Sequence, residues 1–159
     1  MRRITPCLWF DGKAEEAMNF YASIFKDARI GDVMRWGDTG PGKKGSVLSV
    51  TFELDGQEFI GLNGGPMFRF SPAISFFVRC EDQAEVDYYW DRLLEGGTPQ
   101  RCGWLTDKFG VSWQIVPTVL GDMPKDNDTE RANRVMAAMM KQIKLDIGLL
   151  KQAYESGGS

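Results

Sequence analysis

The stretch CGWLTDKFGVSWQIVP, residues 102–117, carries the groups most suggestive of a binding site. It predicts two short strands around a turn at residues 107–110. Side chains alternate between the faces of a strand, so Gln114 points away from the side on which Trp113 and Ile115 are buried. The sequence therefore predicts a neutral amide on the face that could line a cleft.

No histidine is present among the 159 residues. Histidine is the commonest general base at neutral pH and the commonest ligand of zinc, iron and nickel. A Ser-His-Asp or Cys-His nucleophile cannot be built from this chain alone. Carboxylates, thiols, tyrosines, amides and bound water are the groups left to carry any chemistry.

The composition, with 43% apolar and 26% charged residues, is that of a soluble globular protein with one well-filled core. No apolar run approaches the roughly 18 residues of a membrane helix. The apolar part of MRRITPCLWF is short and interrupted by Pro6 and Asp11, so we expect no signal peptide. A net charge of −3 without a basic run argues against nucleic acid as a partner.

The three cysteines, Cys7, Cys80 and Cys102, form no Cys-x-x-Cys pair and are odd in number. This usage is typical of a reduced, cytoplasmic protein whose thiols serve as packing groups. Cys7 is not expected to act as a nucleophile, since no histidine can lower the pKa of its thiol.

Hydrophobic periodicity predicts one strand, one helix and three strands in the first part of the chain. The strand spans Ile4 to Phe10, and Asp11 is expected to cap a helix from about Lys13 to Phe25. The three later strands are predicted near 28–36, 46–54 and 57–63, the last following the hairpin turn Asp55-Gly56.

The same order is then repeated. A strand is predicted from Ala73 to Arg79, and a capping box at residues 82–85 opens a helix that runs through Leu94 and stops at Gly96-Gly97. Short strands near 98–101, 102–106 and 111–116 complete the second set. We therefore predict a single domain, 1–159, with module one at 1–66 and module two at 67–118.

A helical extension is predicted over residues 119–159. A polar loop that includes Gly121 and Pro124 precedes one long amphipathic helix from about Glu130 to Tyr154. Its methionine-rich apolar stripe requires a surface to bury against. Residues of this stripe are Val135, Met136, Met139, Ile143, Ile147, Leu150 and Tyr154.

Two glycine-rich stretches resemble cofactor loops without their structural context. Residues 37–44 have Lys44 where a phosphate-binding loop needs Ser or Thr, and a strand follows instead of a helix. Residues 61–66 lack the Gly-x-Gly-x-x-Gly spacing, and no helix follows them. Both are predicted to be ordinary loops.

Three segments carry a family resemblance: TPCLWFDGKAEEAMNFYASIF at 5–25, the stretch at 102–117, and VMAAMMKQIKLDIGLLKQAY at 135–154. Together they resemble the PhnB-like family of the glyoxalase/bleomycin-resistance/dioxygenase, or vicinal oxygen chelate, superfamily. Members of that family are labelled 3-demethylubiquinone-9 3-methyltransferase. The resemblance implies an α+β fold of paired βαβββ modules that form curved, half-open mixed sheets around a cleft, here with a C-terminal helix. It also implies a homodimer.

The resemblance further implies where metal-binding members of the superfamily place their ligands. Those positions fall here on Thr5, Gly61, Ala73 and Gln114, within about one residue, and Gln114 replaces a glutamate. None of the four is a strong metal ligand. We therefore expect no metal and no other cofactor.

Strand parity then predicts an aromatic cleft with a few neutral hydrogen-bonding groups, which is typical of a small-molecule pocket. Two alternatives stay open: the tryptophans at 9, 36, 104 and 113 could be core aromatics, and Gln114 could hold a loop backbone. The residues predicted to bind the ligand are Thr5, Cys7, Trp9, Phe59, Asn63, Ser75, Phe77 and Gln114.

Three functional hypotheses follow. The first is a metal-independent protein that binds a small, aromatic or apolar molecule. The second is an enzyme on the same scaffold, either the methyltransferase of the family label or a lyase or isomerase. The third is a structural or regulatory dimer whose cleft is filled by its own side chains.

Overall fold

The first half of the chain folds into a four-stranded mixed sheet with one helix. Strand β1 is parallel to β4, and the other neighbours in the order β1-β4-β3-β2 are antiparallel. The elements are β1 (Cys7–Phe10), α1 (Ala14–Ile24), β2 (Ala28–Arg35), β3 (Val47–Leu54) and β4 (Gln57–Asn63). The computed structural model describes residues 2–123 and 128–156, and the chain divides into two units between Phe70 and Ser71.

The core of the first unit lies between α1 and the sheet. The predicted three- and four-residue spacing in α1 is confirmed, because the apolar side chains at these positions are buried. The rings of Phe52 and Phe59 stack at 5.4 Å, and Tyr21 lies 6.1 Å from Phe52. The buried positions of α1 are Ala14, Ala17, Met18, Tyr21 and Ile24.

The start of α1 differs from the prediction. Asp11 does not cap the helix, and the N-cap position is Lys13, whose side chain makes no capping hydrogen bond. Instead, the backbone N–H of Ala14 donates to Oδ1 of Asn63 at 2.9 Å. A side chain from β4 therefore satisfies an amide that α1 leaves without a helical partner.

The first glycine-rich stretch is the loop between β2 and β3, as predicted. A Cβ at Gly40 or Gly42 would lie within 2.4 Å of the Trp36 ring system. These glycines therefore let the loop pack closely on the indole. The hairpin turn at Asp55-Gly56 is also confirmed, since both residues have positive φ angles of 51° and 79°.

The second unit repeats the order of elements. Its sheet runs β5-β8-β7-β6, with β5 parallel to β8 and the other pairs antiparallel. Oδ1 of Asp82 accepts from the N–H of Glu85 at 2.9 Å, which confirms the predicted cap. The elements are β5 (Ser75–Cys80), α2 (Gln83–Leu94), β6 (Thr98–Pro99), β7 (Trp104–Thr106) and β8 (Ser112–Pro117).

Strand β7 is shorter than the predicted strand at 102–106. Cys102 and Gly103 both have positive φ angles, 63° and 81°, so they form a tight turn instead of extended backbone. A Cβ at Gly103 would meet the carbonyl oxygen of Ile115 at 2.8 Å and the Leu145 side chain at 2.9 Å. Glycine is required here by both conformation and space.

The C-terminal extension is not the single predicted helix. It forms α3 (Thr118–Asp122), α4 (Thr129–Lys141) and α5 (Ile147–Glu155). The break occurs because Asp146 caps α5, accepting from the N–H of Leu149 at 3.0 Å. Gln83 of α2 secures the same segment, donating to the Leu145 carbonyl and accepting from the N–H of Ile147.

The C-terminal helices build a small core of their own on the end of β8. Its buried members are Val116, Met123, Val135, Leu145 and Leu150. Met136 and Ile143, also predicted for the buried stripe, remain exposed. Part of the predicted polar loop forms α3, and Pro124 lies outside the described residues.

The predicted fold class is confirmed, since two βαβββ sheets follow each other along the chain. None of the helices in the described ranges has the length and apolarity needed to cross a membrane.

Candidate functional site

One face of the second sheet collects the polar and aromatic groups of a binding site. Gln114 of β8 pairs directly with Phe77 of β5 on one side and with Trp104 of β7 on the other. Directly paired residues project from the same face of a sheet. We call this surface the amide face, and its residues on β5, β7 and β8 are Ser75, Phe77, Arg79, Trp104, Thr106, Ser112, Gln114 and Val116.

The opposite face of this sheet is the core, as predicted. Trp113 is only 3% exposed, and Leu105 and Ile115 are fully buried. Val86 and Leu93 of α2 are also buried. The predicted parity of β8 is therefore confirmed: Trp113 belongs to the core, and Gln114 projects from the other side.

In the described part of the chain, the side chain of Gln114 makes one hydrogen bond, from Nε2 to Oγ of Ser75, at 2.9 Å. The alternative prediction, in which this amide holds a loop backbone, is not what the structure contains. Within the described residues, Oε1 of Gln114 has no hydrogen-bond partner and is available as an acceptor. The Ser75 bond fixes the side chain while leaving that acceptor in place.

Aromatic surface surrounds the amide. Phe77 is 47% exposed, and Trp104 is half-buried, in contrast to the core role considered for this tryptophan. The guanidinium carbon of Arg79 lies 5.2 Å from the centroid of the Phe77 ring. A flat apolar molecule could stack on this surface while forming hydrogen bonds with Gln114.

The first sheet presents a different arrangement. Cys7 and Trp9 share the face opposite Leu8 and Phe10, as predicted, and partial burial of the sulfur raises the pKa of the Cys7 thiol although the residue as a whole is exposed. Trp9 contacts its own chain, since Nε1 donates to the carbonyl of Gly65 at 2.8 Å.

The segment 64–68 covers the Trp9 ring. The ring of Phe68 meets it edge-on at 4.8 Å. A Cβ at Gly64 would lie 2.4 Å from the Trp9 indole, so this glycine permits the close approach. The second glycine-rich stretch is thus a covering loop for a tryptophan.

Three residues predicted for the cleft face of β4 lie on its other side. Phe59 is buried against Phe52, and a Cβ at Gly61 would meet Ala14 of α1 at 3.3 Å. Asn63 donates to the Val47 carbonyl and accepts from α1. The predicted parity of β4 is therefore wrong, because it places Phe59, Gly61 and Asn63 away from the helix that they contact.

The first strand of each module also begins later in the sequence than predicted. Thr5 lies before β1, which begins at Cys7, and Ala73 lies before β5, which begins at Ser75. Both residues are therefore outside the paired strands. Ile4, expected on the helix-packed side, is 84% exposed. Thr5 is half-buried, and Ala73 is exposed.

Sequence reasoning missed Asp107, a carboxylate that is only 3% exposed. Its Oδ1 accepts from the N–H groups of Phe109 and Val111, and Oδ2 accepts from Nε1 of Trp113 at 2.9 Å. One aspartate therefore holds both the turn and the core tryptophan. The signal available in the sequence was an aspartate opening the turn, six residues before Trp113.

The residues do not fit a metal centre. In the ranges that the structure describes, no group of three or more His, Cys, Asp or Glu could hold a metal ion. Of the four positions suggested by the resemblance, Gly61 faces α1 and Gln114 bonds Ser75. We therefore derive no chemistry through a metal.

Comparisons with known proteins agree with the repeated modules. The model of the 3-demethylubiquinone-9 3-methyltransferase family matches residues 2–116. The PhnB protein of Bacillus cereus is 41% identical, with a TM-score of 0.67, covering 73% of this chain and 99% of that one. A Pseudomonas aeruginosa protein is 21% identical, with a TM-score of 0.60 and coverage of 73% and 96%.

A fosfomycin resistance protein from Mesorhizobium loti is 18% identical, with a TM-score of 0.48 and coverage of 71% and 90%. No curated protein matches the sequence. The family match ends at residue 116, so it does not include the segment 135–154 that was part of the resemblance. The helices α3 to α5 are an addition to the matched part.

Proposed function

Because the chain belongs to the 3-demethylubiquinone-9 3-methyltransferase, or PhnB-like, family, we propose that it uses this fold to bind a small aromatic molecule without a metal ion. The observation that carries the proposal is the hydrogen-bonded pair of Ser75 and Gln114, flanked by Phe77 and Trp104 on the amide face. Convergent neutral polar groups on an apolar surface are typical of sites that orient an uncharged part of a ligand.

The enzymatic alternatives have less support from the site. A methyltransferase needs a site for its methyl donor, and the two glycine-rich stretches are packed around Trp9 and Trp36. Neither stretch opens a helix, as the glycine-rich loop of a nucleotide cofactor does.

One observation in the first unit favours the third hypothesis, a structural protein whose cleft is filled by its own side chains. Phe68 and Gly65 contact Trp9, a residue predicted to bind the ligand. We therefore assign ligand binding to the second sheet and retain the structural role for the Trp9 surface.

We also propose that the chain is a cytoplasmic homodimer. Strand β2 lies at the edge of its sheet, and Ile30, Val33 and Met34 on it are exposed. An exposed apolar edge strand pairs readily with another chain. A second copy would bury at least about 1,200 Å² in total. Analytical ultracentrifugation should give a dimer, and a monomer at tens of micromolar would contradict this part of the proposal.

The test of binding is a thermal shift assay with a panel of aromatic and quinone-like compounds. At a free concentration of one hundred times Kd, a ligand adds about 2.7 kcal/mol to the free energy of unfolding. Gln114→Leu should weaken the best compound by about 1–3 kcal/mol, because a polar group of the ligand is left unpaired. Gln57→Leu is the control, since Gln57 lies on β4 of the first unit and its side chain bonds the Glu58 carbonyl. Equal losses in both variants would contradict the proposal.

The metal-free part is tested separately. Elemental analysis of purified protein should find no stoichiometric zinc, nickel, iron or manganese, and chelators should leave Tm unchanged. About one tightly bound transition metal per chain would overturn the assignment of Gln114 as a neutral ligand contact.

A further inference from the structure

The charge on the amide face narrows the class of ligand. Among the strand residues that share this face, one carries a charge, and it is Arg79 of β5. Its guanidinium lies over the ring of Phe77, two residues earlier on the same strand. Within the described residues it makes no ion pair with a carboxylate.

An unpaired arginine beside an exposed ring suits an aromatic anion. The planar guanidinium presents parallel N–H donors that match a carboxylate, and the adjacent ring offers a stacking surface. No acidic side chain of the strands lies on this face, so a cationic ligand would find no opposite charge.

The row of paired side chains sets the size of the ligand. Phe77, Gln114 and Trp104 are consecutive cross-strand neighbours. Neighbouring Cβ atoms of this kind lie about 4.5–5.5 Å apart, so the row spans roughly 10 Å. One or two fused rings cover that distance.

Gln114 favours a ligand that carries a hydrogen-bond donor. One N–H of Gln114 Nε2 donates to Ser75, and Oε1 is left to accept a hydrogen bond. A hydroxyl or amino group on the ligand would satisfy this oxygen.

From these contacts we propose that the amide face binds an aromatic carboxylic acid of one or two rings that carries a hydroxyl or amino group away from its carboxylate. Arg79 binds the carboxylate, Phe77 and Trp104 contact the rings, and Oε1 of Gln114 accepts from the hydroxyl or amino group. This inference rests on the proposed function, since it names the ligand class of the same site.

The experiment compares three probes by isothermal titration calorimetry at low salt: 6-hydroxy-2-naphthoate, 6-hydroxy-2-naphthamide and 2-naphthoate. The hydroxy acid should bind at least tenfold more tightly than the amide and several-fold more tightly than the acid without a hydroxyl. Arg79→Gln should remove the preference for the acid, because it lowers the affinity for the acid about tenfold more than the affinity for the amide. Gln114→Leu should remove the preference for the hydroxyl.

Arg92→Gln is the matched control. Arg92 makes a similar contact with an aromatic ring, 5.9 Å from the centroid of Tyr88, but lies on α2 and not on the sheet. It should leave all three affinities unchanged. All variants are first checked for an unaltered Tm. If Arg79→Gln does not fold, Arg79→Lys, which keeps the charge, replaces it. The Arg79→Lys variant should show a reduced preference for the acid.

The possible failures are distinguishable. If acid and amide bind equally, the ligand class is wrong while small-molecule binding stands. If none of the three probes binds but the wider panel yields a ligand, the class is likewise wrong and the proposed function survives. If Arg79→Gln and Arg92→Gln weaken the acid equally, Arg79 has no direct role and the inference is overturned.

Discussion

The two modules repeat one order of elements but use an amide of the last strand in opposite ways. Asn63 of β4 faces α1, where it accepts from the N–H of Ala14 and donates to the Val47 carbonyl. Gln114 of β8 faces away from α2, and among the residues that the structure describes its side chain bonds Ser75 alone. The first amide holds a helix on its sheet, whereas the second is displayed on an open surface.

The two modules also differ in the polar side chain that holds their interior together. In the second module the interior polar anchor is Asp107, which secures the turn at 107–110 and the indole of Trp113. Gln114 on the amide face is therefore not needed as the interior polar anchor of this module. A repeated order of elements therefore does not imply that similar side chains serve the same purpose, because each module takes its internal polar anchor from a different element.

The exposed aromatic surfaces differ as well. Trp9 of the first module is covered by Gly65 and Phe68, while Phe77 of the second is 47% exposed. This contrast supports ligand binding in one module and self-packing in the other.

The largest effect is expected in the core of the second module. Trp113→Ala should cost about 3–5 kcal/mol of unfolding free energy, because it opens a cavity and removes a donor from Asp107. Gln114→Leu should cost no more than about 1.5 kcal/mol, the net worth of one hydrogen bond. Urea denaturation measures both. If Gln114→Leu were the more damaging change, the assignment of faces on β8 would be reversed.

The next effect is expected at the amide of the first module. Asn63→Leu should cost about 1–3 kcal/mol, since the N–H of Ala14 and the carbonyl of Val47 lose their partner. Asn19→Leu, at an exposed position of α1, is the control and should change stability by less than about 0.5 kcal/mol. Equal effects in the two denaturation curves would mean that Asn63 is not an anchor.

The covering loop of Trp9 can be tested by adding one methyl group. Gly64→Ala would place a Cβ 2.4 Å from the indole, so the loop must shift, at a cost of about 1–2 kcal/mol. Gly37→Ala adds the same group where nothing lies within 4 Å, and it should have little effect. Thermal melts of the two variants that coincide would show that the loop does not pack on Trp9 in solution.

The smallest perturbation is a chemical probe that leaves stability unchanged. Burial, with the charges of Glu85 and Asp82 nearby, raises the pKa of Cys80 to about 12, whereas Cys7 is exposed. A raised pKa lowers the thiolate fraction at any pH below it, so at pH 8 iodoacetamide should label Cys7 well before Cys80. Mass spectrometry of the labelled peptides gives the order. Earlier labelling of Cys80 would show that the end of β5 opens in solution.

Much of the fold could be predicted from local pattern. The spacing of Ala14, Met18 and Tyr21, the Asp55-Gly56 turn and the Asp82 cap each depend on residues close together in the sequence. The parity of β8 was also correct, because Trp113 and Ile115 mark its buried face without ambiguity.

Other features could not be predicted because both alternatives fit the local sequence. In β4, Phe59 and Asn63 alternate with Ile60 and Leu62, so aromatic and aliphatic residues on opposite faces compete for the core. The contact of Phe59 with Phe52 and the bond from Ala14 to Asn63 decide the outcome. The break between α4 and α5 could not be predicted for the same reason, since the apolar stripe of the predicted single helix continues through the residues that join them.

The two repeated modules, the family and the neutral amide on the open side of β8 follow from the amino-acid sequence alone, because each of these depends on periodicity or on a contiguous motif. The contact of Asn63 with α1, the burial of Asp107 and the position of Arg79 over Phe77 follow only from the folded chain. Pairing of distant strands brings these groups together, and the free energy of a polar side chain depends on the partners it meets there rather than on its neighbours in the chain.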